Sequence, residues 1–366
     1  MNKPVYVTRP TLPTLDDFLP YLQAIWASGQ LTNGGSFHEK LETALSAYLG
    51  VPFVSLFNNG TQALITALQA LELEGDVITT PYSFVATSHA LHWNRLTPVF
   101  ADIEAEGFNL DPDAVEAAIT SRTSAILAVH CYGFPCQTRA LQQIADRHGL
   151  KLIYDAAHAF GVEDEDGSIL RHGDLSVLSF HATKVFNTLE GGAIISHSAD
   201  MKARIDRLKN FGFTSETEVA DIGSNGKMNE VQAALGLLQL KTVDAAIGQR
   251  QQHDLAYRQG LAHQPGLLLP ASHAKQHNYS YFPVIVTPEH LVTRDQLQQQ
   301  LQQQNIFSRR YFYPLISDFA AYKTDARPAT SLPNASIRTT QVLCLPLYAQ
   351  LDKADQARVL DSLIDV

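Results

Sequence analysis

Short apolar runs recur through the first half of the chain, at 51–56, 76–80, 98–102, 125–130 and 151–155. They are largely continuous rather than alternating, which is the pattern of strands covered on both faces. Helix-length stretches separate them, at 61–73, 111–119 and 138–149, several opening on a capping residue or closing on glycine. This rhythm predicts an α/β fold with a mostly parallel, buried sheet flanked by helices.

From about residue 243 the texture changes to polar, glutamine-rich helices, with a strand-like segment at 281–286 and another apolar run at 342–347. The expected division is a large domain with an N-terminal arm over 1–242 and a smaller C-terminal α+β domain over 243–366. The glutamines between Gln296 and Gln304 resemble low-complexity sequence, but Leu297 and Leu301 recur among them at helical spacing. An amphipathic surface helix is expected there. No fixed-period repeat is present.

Composition narrows the function classes. The chain has 366 residues, 45% hydrophobic, with a net charge of -10, which argues against a nucleic-acid footprint or a polybasic membrane surface. A small-molecule substrate fits better. Three cysteines, Cys131, Cys136 and Cys344, do not make a disulfide framework, and they read as reduced thiols of a cytoplasmic protein. No apolar run reaches the roughly 20 residues of a membrane helix, and the first residues lack a signal-peptide core.

Two segments carry distinctive chemistry. The run 151–155 ends on Asp155, followed by Ala156-Ala157-His158, and a later apolar run leads into Ser179-Phe180-His181-Ala182-Thr183-Lys184. An acid at the end of a strand is either a helix N-cap or a carboxylate at the ligand-binding edge of a sheet. A lone lysine is ordinarily a solvated surface charge. Together they meet two needs of an aldehyde cofactor such as pyridoxal phosphate: an amine to form a Schiff base, and an anion to keep the pyridine ring protonated.

Other segments fall into the same order. Asn58-Asn59-Gly60-Thr61-Gln62 turns from strand into helix, where free amides suit a phosphate, although ordinary turns share this composition. In Pro81-Tyr82-Ser83-Phe84-Val85-Ala86-Thr87, Phe84 could lie against a cofactor ring or pack in the core. His158 and His181 stand beside the acid and the lysine, as site groups or as hydrogen-bonded structural histidines. The spacing around His130, Cys131 and Cys136 does not match a zinc motif, so no metal is expected.

Taken in order, these segments resemble the DegT-type nucleotide-sugar aminotransferases, a branch of the fold-type I pyridoxal phosphate enzymes. The likeness covers nearly the whole chain, from Trp26-Ala27-Ser28-Gly29-Gln30-Leu31-Thr32-Asn33-Gly34 through Asn59-Gly60-Thr61, Thr80 to Thr87, Asp155 to His158 and Ser179 to Lys184, to Glu190-Gly191-Gly192. The resemblance implies pyridoxal 5'-phosphate as cofactor, passing through pyridoxamine 5'-phosphate in turnover. It makes Lys184 the Schiff-base lysine, Asp155 the partner of the pyridine nitrogen, and Phe84 the ring-stacking residue. His158 would sit by the phenolic oxygen, where many relatives have glutamine. Gly60, Thr61, Gln62 and Ser179 would hold the phosphate, and His181 would face the substrate as a catalytic group.

In Gly223-Ser224-Asn225-Gly226, Asn225 matches an asparagine that relatives extend into the neighbouring subunit's phosphate site, which implies a homodimer with shared active sites. Arg309, Arg310, Tyr311 and Tyr313 offer cationic and phenolic groups for a nucleotide-sugar diphosphate, or else are surface arginines and core tyrosines.

Ser179-Phe180-His181-x-x-Lys184 followed by Glu190-Gly191-Gly192 is similar to members that aminate C4 of the sugar, above all the VioA-like branch. The implied reaction converts dTDP-4-keto-6-deoxy-D-glucose to dTDP-4-amino-4,6-dideoxy-D-glucose with L-glutamate as amino donor, for O-antigen or another glycan. A UDP- or GDP-linked or C3-keto sugar keeps the same chemistry. A sugar dehydratase of this family would carry histidine in place of Lys184, and a non-catalytic sensor or scaffold would not need the intact Asp155 and Lys184.

Overall fold

The computed structural model of the protein describes residues 3–323, 327–328 and 331–364. The first two residues of the expected N-terminal arm, and 324–326, 329–330 and 365–366 of the expected small domain, lie outside the described residues.

The apolar runs become the strands Phe53–Phe57, Asp76–Thr79, Thr97–Phe100, Thr123–Val129 and Lys151–Asp155. With Leu175–Ser179, Gly192–Ser196 and the two-residue Arg327–Pro328 they form one eight-stranded sheet. Across it the order is Arg327–Pro328, Thr97–Phe100, Asp76–Thr79, Thr123–Val129, Lys151–Asp155, Leu175–Ser179, Gly192–Ser196 and Phe53–Phe57. Gly192–Ser196 runs antiparallel to both its neighbours, and every other pairing is parallel. The C-terminal ends of the parallel strands and the first residue of the antiparallel one therefore share one edge, where an open α/β sheet presents its ligand site.

Both faces of the sheet are covered. Val77, Leu127 and Ile153 pack with Ala63, Leu64 and Ala67 of the helix Gly60–Ala70. Their immediate neighbours Ile78, Ile126 and Leu152 pack with Leu141 and Ile144 of the helix Thr138–His148 on the other side. Successive residues of a strand point to opposite faces, so a sheet buried twice reads as an unbroken apolar run.

The helix Val243–Leu261 begins where the sequence texture changes, and it leads to a three-stranded antiparallel sheet of Leu267–Leu268, Phe282–Val286 and Val342–Leu345. The glutamine-rich segment is the helix Arg294–Gln303. Thr293 and Gln296 form a capping box at its start, and Leu297 and Leu301 are fully buried. Two edge strands cross between the halves of the chain. Val5–Tyr6 pairs with Ile306–Phe307 and puts Val5 in the core of the C-terminal unit, while Arg327–Pro328 extends the large sheet beside Thr97–Phe100. Among the described residues no helix is long and apolar enough to cross a membrane.

The helix Ser36–Leu49 has glycine at its N-cap and so lacks a local side-chain cap. Glu230 from a distant helix replaces it, accepting the backbone N–H groups of Phe37 and His38 at 2.9 Å each. Only glycine permits this approach, since a Cβ on Gly35 would lie 2.5 Å from the Glu230 carboxyl carbon. Glu230 is buried, so Glu230→Ala strands two amide donors and removes a carboxylate from the positive end of the helix. The expected cost is about 2–3 kcal/mol, measured as a lowered thermal midpoint with an unchanged circular dichroism spectrum at low temperature.

Candidate active site

The loops leaving the strands converge on the shared edge of the large sheet. After Phe57 the chain passes through Asn58 and Asn59 into the helix Gly60–Ala70. The Asn59 side chain accepts the Gln62 N–H at 2.8 Å, and its carbonyl takes that of Ala63 at 3.2 Å. Among the described residues the N–H groups of Gly60 and Thr61 have no acceptor. This leaves two donors at the positive end of a helix facing the edge.

The turn is narrow because two glycines allow close contact. A Cβ on Gly60 would lie 2.9 Å from the Ser179 Cβ, and one on Gly192 would lie 2.8 Å from the Gly60 nitrogen. Ser179 thus stands directly against the helix start. Thr61 is exposed, and the Gln62 amide donates to the Ser224 hydroxyl at 2.7 Å. Asn58 donates to the Asn225 carbonyl at 3.4 Å, so the 223–226 loop borders the same turn, with Asn225 itself exposed.

Asp155 ends its strand and is buried. One carboxylate oxygen accepts the Thr87 hydroxyl at 2.8 Å and the other accepts the Ala157 N–H at 3.1 Å, while Ser83 lies 2.9 Å behind Thr87. Burial pushes its pKa up, against the opposing pull of Thr87, the Ala157 amide and the Lys184 cation. The site therefore favours an additional positive charge near this carboxyl.

Lys184 lies in the turn after Phe180, where its own N–H bonds the His181 carbonyl at 2.9 Å. Burial lowers its pKa to about 8, with Asp155 and then Cys131 pulling the other way. Its Nζ is 3.5 Å from the hydroxyl of Tyr281, which comes from the C-terminal half of the chain. An amine so perturbed has a far larger neutral fraction near neutral pH than an ordinary lysine, as a nucleophile or proton carrier requires.

His158 is buried and stacks on Phe312 at 5.9 Å between ring centroids. Its Nδ1 accepts the Tyr132 N–H at 3.1 Å, so the ring proton belongs on Nε2. Burial, reinforced by Lys184, holds its pKa well below the usual value. His158 is therefore a neutral donor through Nε2.

Lys184, Asp155 and His158 thus interact electrostatically in one pocket, and Gly60 touches Ser179 at the neighbouring turn. Phe84 stands at the end of the loop that leads to Thr87 and is 61% exposed, far more than an aromatic committed to the core. His181 is exposed and accepts the Thr183 N–H through Nδ1 at 3.3 Å, with Glu190 3.6 Å from Nε2.

The cationic segment is divided. Arg310 pairs with Asp295 at 3.1 Å and lies over the Tyr313 ring, as Arg294 also does. The exposed Arg309 makes no ion pair among the described residues. The carbonyl of Tyr311 accepts hydroxyls from Tyr82 and Tyr132.

Sequence reasoning missed Thr87, Ser83 and Tyr281. The first two were visible as hydroxyls one helical turn apart beside Phe84, but Tyr281 sits in an ordinary strand-like run with nothing to distinguish it.

The DegT/DnrJ/EryC1/StrS aminotransferase family model matches residues 14–364. The dTDP-4-amino-4,6-dideoxy-D-glucose transaminase of Shigella dysenteriae is 56% identical over 352 residues, covering 96% of each chain. The Escherichia coli enzyme of the same description is 50% identical over 355 residues, again 96% of each chain. The solved structure of DesI in the presence of its TDP-sugar product superposes with a TM-score of 0.94 at 37% identity, covering 99% of this chain and 93% of that one. The chain belongs to the DegT/DnrJ/EryC1/StrS aminotransferase family.

Proposed function

We propose that this chain transfers an amino group from L-glutamate to dTDP-4-keto-6-deoxy-D-glucose, forming dTDP-4-amino-4,6-dideoxy-D-glucose, with pyridoxal phosphate as its cofactor. The observation that carries the reaction is the placement of Lys184, its pKa lowered by burial, with the buried Asp155 at the sheet's ligand edge. The names of the two relatives at 56% and 50% identity support the substrate. In this reading the enzyme is a cytoplasmic homodimer that serves O-antigen or a related glycan, with the exposed Asn225 reaching the partner's site.

The residues present fit the cofactor. The free amides of Gly60 and Thr61, with the Ser179 hydroxyl against the helix start, suit a phosphate. A buried carboxyl whose pKa is raised suits a protonated ring nitrogen. The neutral His158 can donate from Nε2 to a phenolate oxygen, and the exposed Phe84 can cover a ring face. Bound there, pyridoxal phosphate supplies an electrophilic aldehyde and an electron-withdrawing ring.

The chain's own residues then have separate tasks. Asp155, oriented by Thr87 and Ala157, keeps a proton on the ring nitrogen. Lys184 would hold the cofactor at rest, and its free amine would take the proton from the donor's α-carbon. In the second half it moves a proton in the reverse sense to leave the amine on the sugar. His181 stands at the exposed mouth beside Glu190, where it can meet the substrate. Arg309 is the freer cation for the diphosphate, because Arg310 is already held by Asp295.

Lys184→Ala is expected to abolish both half-reactions, followed as loss of the glutamate-driven spectral change and of amino-sugar product. With a lysine pKa of about 8, the neutral amine increases as pH rises. Covalent capture of added pyridoxal phosphate by the apoprotein should therefore accelerate between about pH 7 and 9, with a midpoint near 8 in stopped-flow absorbance. Arg309→Ala is expected to raise KM for the nucleotide sugar about 10- to 100-fold while leaving the glutamate half-reaction intact. Arg310→Ala should do less.

A further inference from the structure

Tyr281 reaches Lys184 from the C-terminal half of the chain, and bonds made by its neighbours fix its segment there. Asn278 donates to the carbonyls of His158 and Phe160 at 2.8 and 2.9 Å, and the Ser280 hydroxyl donates to the His158 carbonyl at 2.9 Å. The buried Arg250 donates to the Leu347 carbonyl at 3.0 Å and lies 3.4 and 3.5 Å from those of Tyr279 and Ser280. The first three contacts tie the segment before the strand Phe282–Val286 to the loop that follows Asp155, and Arg250 ties it to the helix Val243–Leu261.

The Tyr281 ring is held as well. It meets His158 edge to face at 4.8 Å, Tyr132 at 5.5 Å and Tyr311 at 5.7 Å between centroids. With backbone and ring both fixed, the hydroxyl has little freedom. Among the described residues it is the one hydrogen-bond partner of Lys184 Nζ, at 3.5 Å, and such catalytic contacts often tighten only when substrate binds.

A lysine that alternates between amine and ammonium on a flexible stem needs a partner for both forms. A carboxylate can only accept. A phenol accepts from the ammonium and donates to the amine, so neither form is left unpaired in a dry pocket.

We infer that Tyr281 is a positioning residue for Lys184, its hydroxyl aiming the amine in both protonation states; this rests on the reading of Lys184 as the transaminase lysine. The groups that face the amine are Asp155 and His158 from the strand end and its loop, Cys131 from the loop after Thr123–Val129, and Tyr281 itself. Tyr311 and Arg250 stand behind the phenol.

Tyr281→Phe keeps the ring and its packing but removes the hydroxyl. In the holoenzyme kcat should fall about 10- to 100-fold, with KM for glutamate nearly unchanged. In the apoprotein, Lys184 labelling by trinitrobenzenesulfonate, followed against pH by peptide mass spectrometry, should shift its midpoint downward, because of the two bonds lost the one accepted from the charged ammonium is the stronger. An unchanged labelling midpoint would overturn the inference, whether kcat or thermal stability fell or not. The labelling needs no cofactor, so it stays separate from the proposed function, which fails instead if the wild-type protein takes up no pyridoxal phosphate.

Discussion

A carboxylate and an amine share a pocket at the edge of the large sheet, and burial pushes each toward its neutral form while each draws the other back. In water the two would sit near pKa values of about 4 and 10 and be fully charged. Here the amine falls to about 8, within reach of physiological proton exchange. The remaining features of the site serve this balance. Thr87 and the Ala157 amide pull the carboxyl back toward its charged form, and the loop after Asp155 supplies a histidine held neutral by burial and by Lys184, its Nδ1 taken by the Tyr132 N–H.

The topology makes that balance possible. A parallel sheet brings the ends of distant strands together without needing their intervening sequence to meet. The reversal of Gly192–Ser196 places its first glycine among the strand ends, where a larger residue would collide with the turn at Gly60. The narrow turn at Gly60 and the strand end at Ser179 are therefore two sides of one close approach.

Much of this was legible in the residues. The strand Lys151–Asp155 was expected with its observed bounds, and the double burial of the sheet was visible as apolar runs that do not alternate. The glutamine-rich helix was betrayed by Leu297 and Leu301. Less accessible were features made by distance in sequence. Tyr281 became part of the lysine's surroundings only when Asn278 and Ser280 fixed its segment against the loop of His158 and Arg250 held it from the helix Val243–Leu261. Likewise, Arg309 and Arg310 look equivalent as text, and Asp295 distinguishes them only in the folded chain.

The pairing of Val5–Tyr6 with Ile306–Phe307 sets an order of assembly. On the ribosome the first strand emerges about 300 residues before its partner, so Val5 stays exposed while the strands out to Ser196 are already synthesised. The large sheet can begin to condense early, but the core around Val5, Leu301 and Leu343 closes only once the strand Val342–Leu345 is out. Nascent chains halted before residue 306 would carry an unburied N-terminal strand, a natural point of capture for chaperones or proteases.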